Sequence, residues 1–282
     1  MLSYRHGFHA GLHADVFKHL VVSLAVRALL GKEKPFFYLD THAGAGRYHL
    51  GSEMARKNRE YETGIGRLWN EANPPPAVRE YLALVRITNP GRELRWYPGS
   101  PRIVRPLLRP RDRMVLCERH PSEARRLAAE FAGDRQVQVQ PGDGYQALKA
   151  LLPPLERRGL VLIDPAYELK DERRRLLEAI EAGYRRWATG MFAVWYPIQD
   201  RATAGDFLRR LARMGISKML VAELTVQPDE PFRLNGSGMV VVNPPWRLDE
   251  RLNETLPWLW EKLAIEGQGS YRVEWLAGDG AG

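Results

Sequence analysis

The 282 residues are enough for one large domain, or one domain with an insertion, and a hydrophobic content of 44% supports a substantial core. The formal net charge of +8, carried mostly by arginine, points to a polyanion such as nucleic acid as partner, with an ordinary basic protein as the alternative. Cys117 is the only cysteine, which excludes an internal disulfide. No apolar run has the length of a membrane span or the character of a signal peptide, so a cytoplasmic chain with no membrane partner is expected.

Residues 1–19 hold four of the seven histidines, His6, His9, His13 and His19. No cysteine accompanies them and no second ligand cluster follows, so no metal is expected. A helix should begin near Ala14 and Asp15, run through Leu30 and stop at Gly31. Lys18 and His19 fall in its first turns, either facing a ligand or at an exposed helix start. Residues 35–40, PFFYLD, read as the first strand, followed by the glycine-rich turn Thr41 to Gly46. His49 stands where a dinucleotide fingerprint needs its third glycine. The turn looks more like the cofactor loop of a methyltransferase.

Residues 47–97 interrupt the alternation of strand and helix. Gly51 to Gly64 is polar, with Arg56, Lys57 and Arg59 close together, and is expected to be a mobile loop. After Pro74-Pro75-Pro76, helical spacing of Val78, Tyr81, Leu82 and Val85 predicts an amphipathic helix to Ile87. Ser100 before Pro101 reads as a helix cap. Met114 to Glu118 is the next strand. Its terminal Glu118 either accepts the hydroxyls of a ribose or simply caps the strand. Gly142-Asp143-Gly144 either meets an adenine edge or caps the helix from Tyr145.

Gly159 to Ile163 reads as a strand buried on both faces, and Asp164-Pro165 ends it because proline cannot continue the ladder. Such a turn suits one chemistry. An exocyclic amine is a poor nucleophile whose N–H groups need acceptors while nitrogen pyramidalises. Asp164 and the Pro165 carbonyl can accept, and Tyr167 can stack on the base. The stretch resembles the (Asp/Asn/Ser)-Pro-Pro-(Tyr/Phe/Trp) motif of amino-methyltransferases, with Ala166 in place of the second proline. A buried strand ending in a proline turn is the plain alternative. A basic helix (170–187), strand 191–196, helix 203–214 and strands 217–226 and 238–243 follow, doubly wound. Asn243-Pro244-Pro245-Trp246 matches the motif better, but only a short polar segment joins its strand to the one before. That favours an antiparallel hairpin whose end points away from the cofactor edge.

Taken together, MLSYRHGFHAG, HADVFKH, YLDTHAGAGRY, YPGSP, LIDPAYE, WYP at 195–197 and GMVVVNPPW resemble the J-type 23S ribosomal RNA adenine-N6-methyltransferase family over nearly the whole chain. The resemblance implies an α/β, Rossmann-like class I methyltransferase fold that uses S-adenosylmethionine, with an antiparallel last strand. Residues 1–46 and 98–282 would form that domain and 47–97 a small helical insertion. It implies that His19, His42, Ser100, Glu118, Asp143, Gly144 and Asp164 bind the cofactor, that Asp164 is catalytic, and that Tyr4 meets the RNA, while the turn itself gives Pro165 and Tyr167 as the residues expected to meet the base. The expected reaction is N6 methylation of an adenine in 23S ribosomal RNA by a monomer. Methylation of DNA adenine and a non-catalytic RNA-binding factor are the rivals.

Overall fold

The computed structural model describes residues 5–230 and 233–277; Tyr4 lies outside the described residues. The chain opens with α1 (His13–Leu30), β1 (Phe37–Asp40) and β2 (Arg47–His49). Three helices follow, α2 (Glu53–Asn58), α3 (Ile65–Leu68) and α4 (Pro76–Ile87), then β3 (Trp96–Pro98) and α5 (Ser100–Val104). Alternation resumes with β4 (Arg113–Glu118), α6 (Pro121–Glu130), β5 (Val137–Pro141), α7 (Gly144–Leu151), β6 (Gly159–Ile163), α8 (Glu172–Arg186), β7 (Met191–Ile198) and α9 (Arg201–Ala212). The hairpin β8 (Met219–Thr225) and β9 (Gly236–Val242), then α10 (Leu248–Leu263) and β10 (Ser270–Ala277), end the described chain.

Eight strands form one sheet in the order β10-β8-β9-β7-β6-β1-β4-β5. The five strands from β7 to β5 pair in parallel, β9 runs antiparallel to both neighbours, and β10 is antiparallel to β8. Both faces are covered, which explains the unbroken aliphatic runs. In β6, Leu160 and Leu162 join the core under α1, α4, α5 and α10, while Val161 and Ile163 join the core under α7, α8 and α9. Strand order turns back between β1 and β6, so their carboxyl ends open a crevice.

The segment between β2 and β3 differs from the expected mobile loop. β2 and β3 pair antiparallel, Arg47 opposite Pro98, so the chain leaves and returns at one place. Ser52 caps α2 by accepting from Ala55 N at 3.3 Å, and Ala55 is buried. Lys57 Nζ lies 5.9 Å from the centre of the Phe8 ring. Val78, Tyr81, Leu82 and Val85 of α4 enter the same core as Phe17 and Leu20 of α1. Ser100 is likewise not a cap. Gly99 occupies that position, and Ser100 Oγ instead donates to buried Asp40 at 2.6 Å.

The strand ending at Asn243 is antiparallel, as its short connection predicts. Val242 lies opposite Phe192, near the start of β7, so Asn243 sits at the sheet edge far from the crevice. Its Nδ2 donates to Ala188 O and Gly190 O, both at 2.8 Å.

Candidate active site

The carboxyl ends of β1, β4, β5, β6 and β7 and the start of α1 enclose one cleft of about 490 Å³. Nine of the expected residues line it: His19, His42, Ser100, Glu118, Asp143, Gly144, Asp164, Pro165 and Tyr167.

The glycine turn after β1 lies against β4. Gly44 has φ +62°, a left-handed conformation that favours glycine, and its N–H donates to Glu118 Oε2 at 2.8 Å. Glu118 Oε1 accepts from His120 N at 2.6 Å. Burial pushes the Glu118 carboxyl upward, and these two N–H groups oppose that shift. Asp143 caps α7 by accepting from Tyr145 N at 2.9 Å, and its second oxygen takes Arg175 at 2.8 Å. Gly144 has a packing reason, since a Cβ there would lie 2.0 Å from Thr41 O. His19 Nδ1 meets Tyr97 Oη at 2.9 Å and the two rings stack. Burial, then the Lys18 charge, holds the His19 imidazole neutral. His42 is pushed down to about 4 by burial.

At the end of β6, Asp164 does not stand alone. Its Oδ2 lies 2.5 Å from Lys18 Nζ, which also donates to Asp15 Oδ1 at 2.9 Å. Asp15 Oδ2 in turn takes His6 Nε2 at 2.8 Å and Gly11 N at 2.9 Å. Burial alone would discharge the Lys18 ammonium, but Asp15 and Asp164 outweigh it and raise its pKa. Asp15 has the reverse history: burial raises it, and His6 and Lys18 pull it well below the carboxylate range. Asp164 Oδ1 accepts no hydrogen bond from a described residue, leaving an acceptor in the cleft. Tyr167, at φ +53°, donates its hydroxyl to Trp195 O at 2.9 Å and meets the Trp195 ring edge-on.

Two members of this arrangement escaped sequence reasoning. Asp15 read only as a first-turn acid, although its i,i+3 spacing to Lys18 already placed both on one helix face. Asp40 was not singled out. It is fully buried, accepts from Tyr38, Ser100 and His42 N, and is pushed by burial up to about 6. Among the described residues no cluster of His, Cys, Asp and Glu could hold a metal, and no helix is long and apolar enough to cross a membrane.

A doubly wound sheet with the antiparallel β9 between β7 and β8, and a cleft of acids and glycines at the carboxyl ends, defines a class I methyltransferase fold. The family model described as ribosomal RNA large subunit methyltransferase D, RlmJ matches residues 33–277, and the chain belongs to that family. A protein of Escherichia coli strain K12 named ribosomal RNA large subunit methyltransferase J is 49% identical over 277 residues, covering 98% of this chain and 99% of that one. Its namesake from Haemophilus influenzae Rd is 50% identical over 278 residues, with 98% and 99% covered. The crystal structure of a Legionella pneumophila protein superposes with a TM-score of 0.89 at 36% identity, over 96% of this chain and 99% of that one.

Proposed function

We propose that this chain transfers a methyl group from S-adenosylmethionine to the N6 amine of an adenine in 23S ribosomal RNA, acting in the cytoplasm as a monomer. The observation that carries the reading is the Asp164-Pro165 turn, held by Lys18, opening into a cleft shared with Glu118 and the glycine turn. The acids suit a cofactor that carries a positive charge and a ribose diol. Bound there, the cofactor supplies an electrophilic methyl group. Glu118 accepts the ribose hydroxyls, Asp143 and Gly144 meet the adenine ring, and His19, His42, Ser100 and Asp164 line the remainder. Residues 47–97 act as a helical insertion on the 1–46 and 98–282 domain, and Tyr4 contacts RNA.

The target base leaves its stack to enter the cleft. Asp164 Oδ1 and the Pro165 carbonyl accept the amine N–H groups, and Tyr167 stacks on the ring. Lys18 fixes the Asp164 carboxylate in place. The amine proton departs to Asp164 or to water after the new N–C bond forms. A carboxylate is too weak a base to remove it beforehand. Transfer of a labelled methyl group to a 23S transcript, with DNA as control and the product base mapped, tests this reading. Label only on DNA, or on neither, would overturn it.

Glu118→Ala is expected to weaken cofactor binding tenfold or more, because charge-assisted hydrogen bonds contribute about 1.5–3 kcal/mol each. Glu118→Gln, which keeps one acceptor oxygen for Gly44 N, should lose less. Calorimetry giving wild-type affinity for the folded Ala variant would remove Glu118 from the ribose. Asn243→Ala, by contrast, should leave methyl transfer to a short hairpin substrate intact, since Asn243 ties the far edge to Ala188 and Gly190. Loss of turnover with normal cofactor binding would contradict this.

A further inference from the structure

The sheet separates charge between its two edges. The loops that follow β1, β4, β5, β6, β7 and β8, at the cleft, hold seven acids against three Lys or Arg. The loops at the opposite edge (31–36, 108–112, 131–136, 152–158, 187–190, 213–218 and 243–247) hold ten Lys or Arg against four acids. Three of those acids are already paired, Asp112 with Arg109, Asp134 with Arg105 and Glu156 with Arg113. Lys32, Lys34, Arg111, Arg157, Arg213 and Lys218 are exposed and form no ion pair with a described residue. Between these two sets of loops, the cleft edge is net negative and the opposite edge net positive.

On this edge stands the most exposed tryptophan among the described residues. Trp246 is 89% exposed, though large apolar side chains are normally covered. Its turn is pinned. Asn243 bonds to Ala188 O and Gly190 O, and its N–H donates to Lys218 O at 2.9 Å. Pro244 and Pro245 stiffen the next two positions. Asn243 and Arg247, on either side, hold left-handed backbone at φ +49° and +61°, a conformation that persists only where the surroundings enforce it. An indole on a rigid turn whose backbone bonds to Lys218, an exposed cation with no ion pair to a described residue, is an arrangement that can stack an unpaired base while a phosphate is neutralised beside it.

We propose that this edge is a second RNA-binding face, with Trp246 stacking an unpaired base of the substrate and Arg213 and Lys218 on its phosphates. The proposal rests on RNA being the partner, as argued above, but not on methyl transfer. It also explains how a polyanion delivers a base into an acid-rimmed cleft, by holding its phosphates elsewhere. The five residues of β6 alone separate the two edges by about 16 Å. A minimal hairpin with its loop in the cleft has no second unpaired base to offer Trp246, whereas a folded 23S transcript can span both edges.

Filter binding of the full-length chain to a 23S transcript and to a minimal hairpin around the mapped adenine, across a salt series, tests this. Trp246→Ala should bind the transcript about tenfold more weakly, Trp246→Phe should stay near wild type, and turnover on the hairpin should not change. Arg213→Ala with Lys218→Ala should lower the salt slope on the transcript by about 2. The Ala variant buries no less surface, so an unchanged melting midpoint is expected. Wild-type transcript affinity and slope in both variants would overturn the proposal. So would a Trp246-dependent dimer in light scattering, which would give the face to a second copy. Trp246-dependent RNA binding by a protein that methylates no RNA would uphold the face and sink the catalytic reading alone.

Discussion

Asp164→Ala is expected to reduce single-turnover methyl transfer by at least about 10²–10³-fold, the loss typical of one preorganised polar contact in a transition state. In the proposed mechanism the carboxylate accepts an amine N–H with an oxygen that no described residue occupies, and the contact would strengthen as nitrogen pyramidalises and gains positive charge. Interactions that grow toward the transition state raise the rate. Asp164→Asn keeps an acceptor but loses the charge, both toward the amine and toward Lys18 Nζ at 2.5 Å. It should retain low, measurable activity, above that of Ala. Methylation by the Ala variant at the wild-type single-turnover rate would remove Asp164 from the mechanism. Cofactor affinity measured alongside separates a chemical loss from a binding loss.

Lys18→Met is the second large effect. Lys18 is 5% exposed and lies between two carboxylates, at 2.9 Å from Asp15 and 2.5 Å from Asp164. Removing one partner of a buried ion pair costs about 3–5 kcal/mol, because the remaining charge is left uncompensated. Both stability and turnover should therefore fall. The two losses are separable. Adding Asp15→Asn to Lys18→Met removes one stranded charge and should recover stability, while Asp164 remains unheld and turnover stays low. Recovery of turnover in the double variant would show that Lys18 serves the fold alone. The linkage has a definite sign. The folded-state pKa of Asp15 lies below its ordinary value of 3.8, so its contribution is present above that value and is lost as the pH falls through the folded pKa. Asp15→Asn should flatten the acid limb of the stability curve, which denaturant titrations at successive pH values would measure.

Residues 159–165 were legible because every cue is local. Four aliphatics in a row require cover on both faces, and proline stops the ladder wherever the fold carries it. The direction of β9 was legible for a similar reason. A short connection reaches only a neighbouring strand running the other way, which is how Asn243 was set aside despite its better match to the motif. Where the sequence reading failed, contacts distant along the chain had overridden local pattern. Gly51 to Gly64 is polar enough to read as a loop, yet α2 forms because Ser52 caps it and the Phe8 segment lies beside it. α10, not among the expected elements, holds Pro257 in its interior against helix propensity and forms because Leu252, Leu256, Leu259 and Leu263 bury themselves in the core beside α1 and α4. Ser100 has every feature of a cap, yet buried Asp40 takes its hydroxyl. The Lys18–Asp164 pair spans 146 positions. Helix start and stop signals placed Lys18 near the start of α1, and an aliphatic run ended by proline placed Asp164 at the end of β6. Only the packing of that helix against that strand brings ammonium and carboxylate within 2.5 Å, because the energy that joins them depends on through-space distance and burial, which no spacing along the chain encodes.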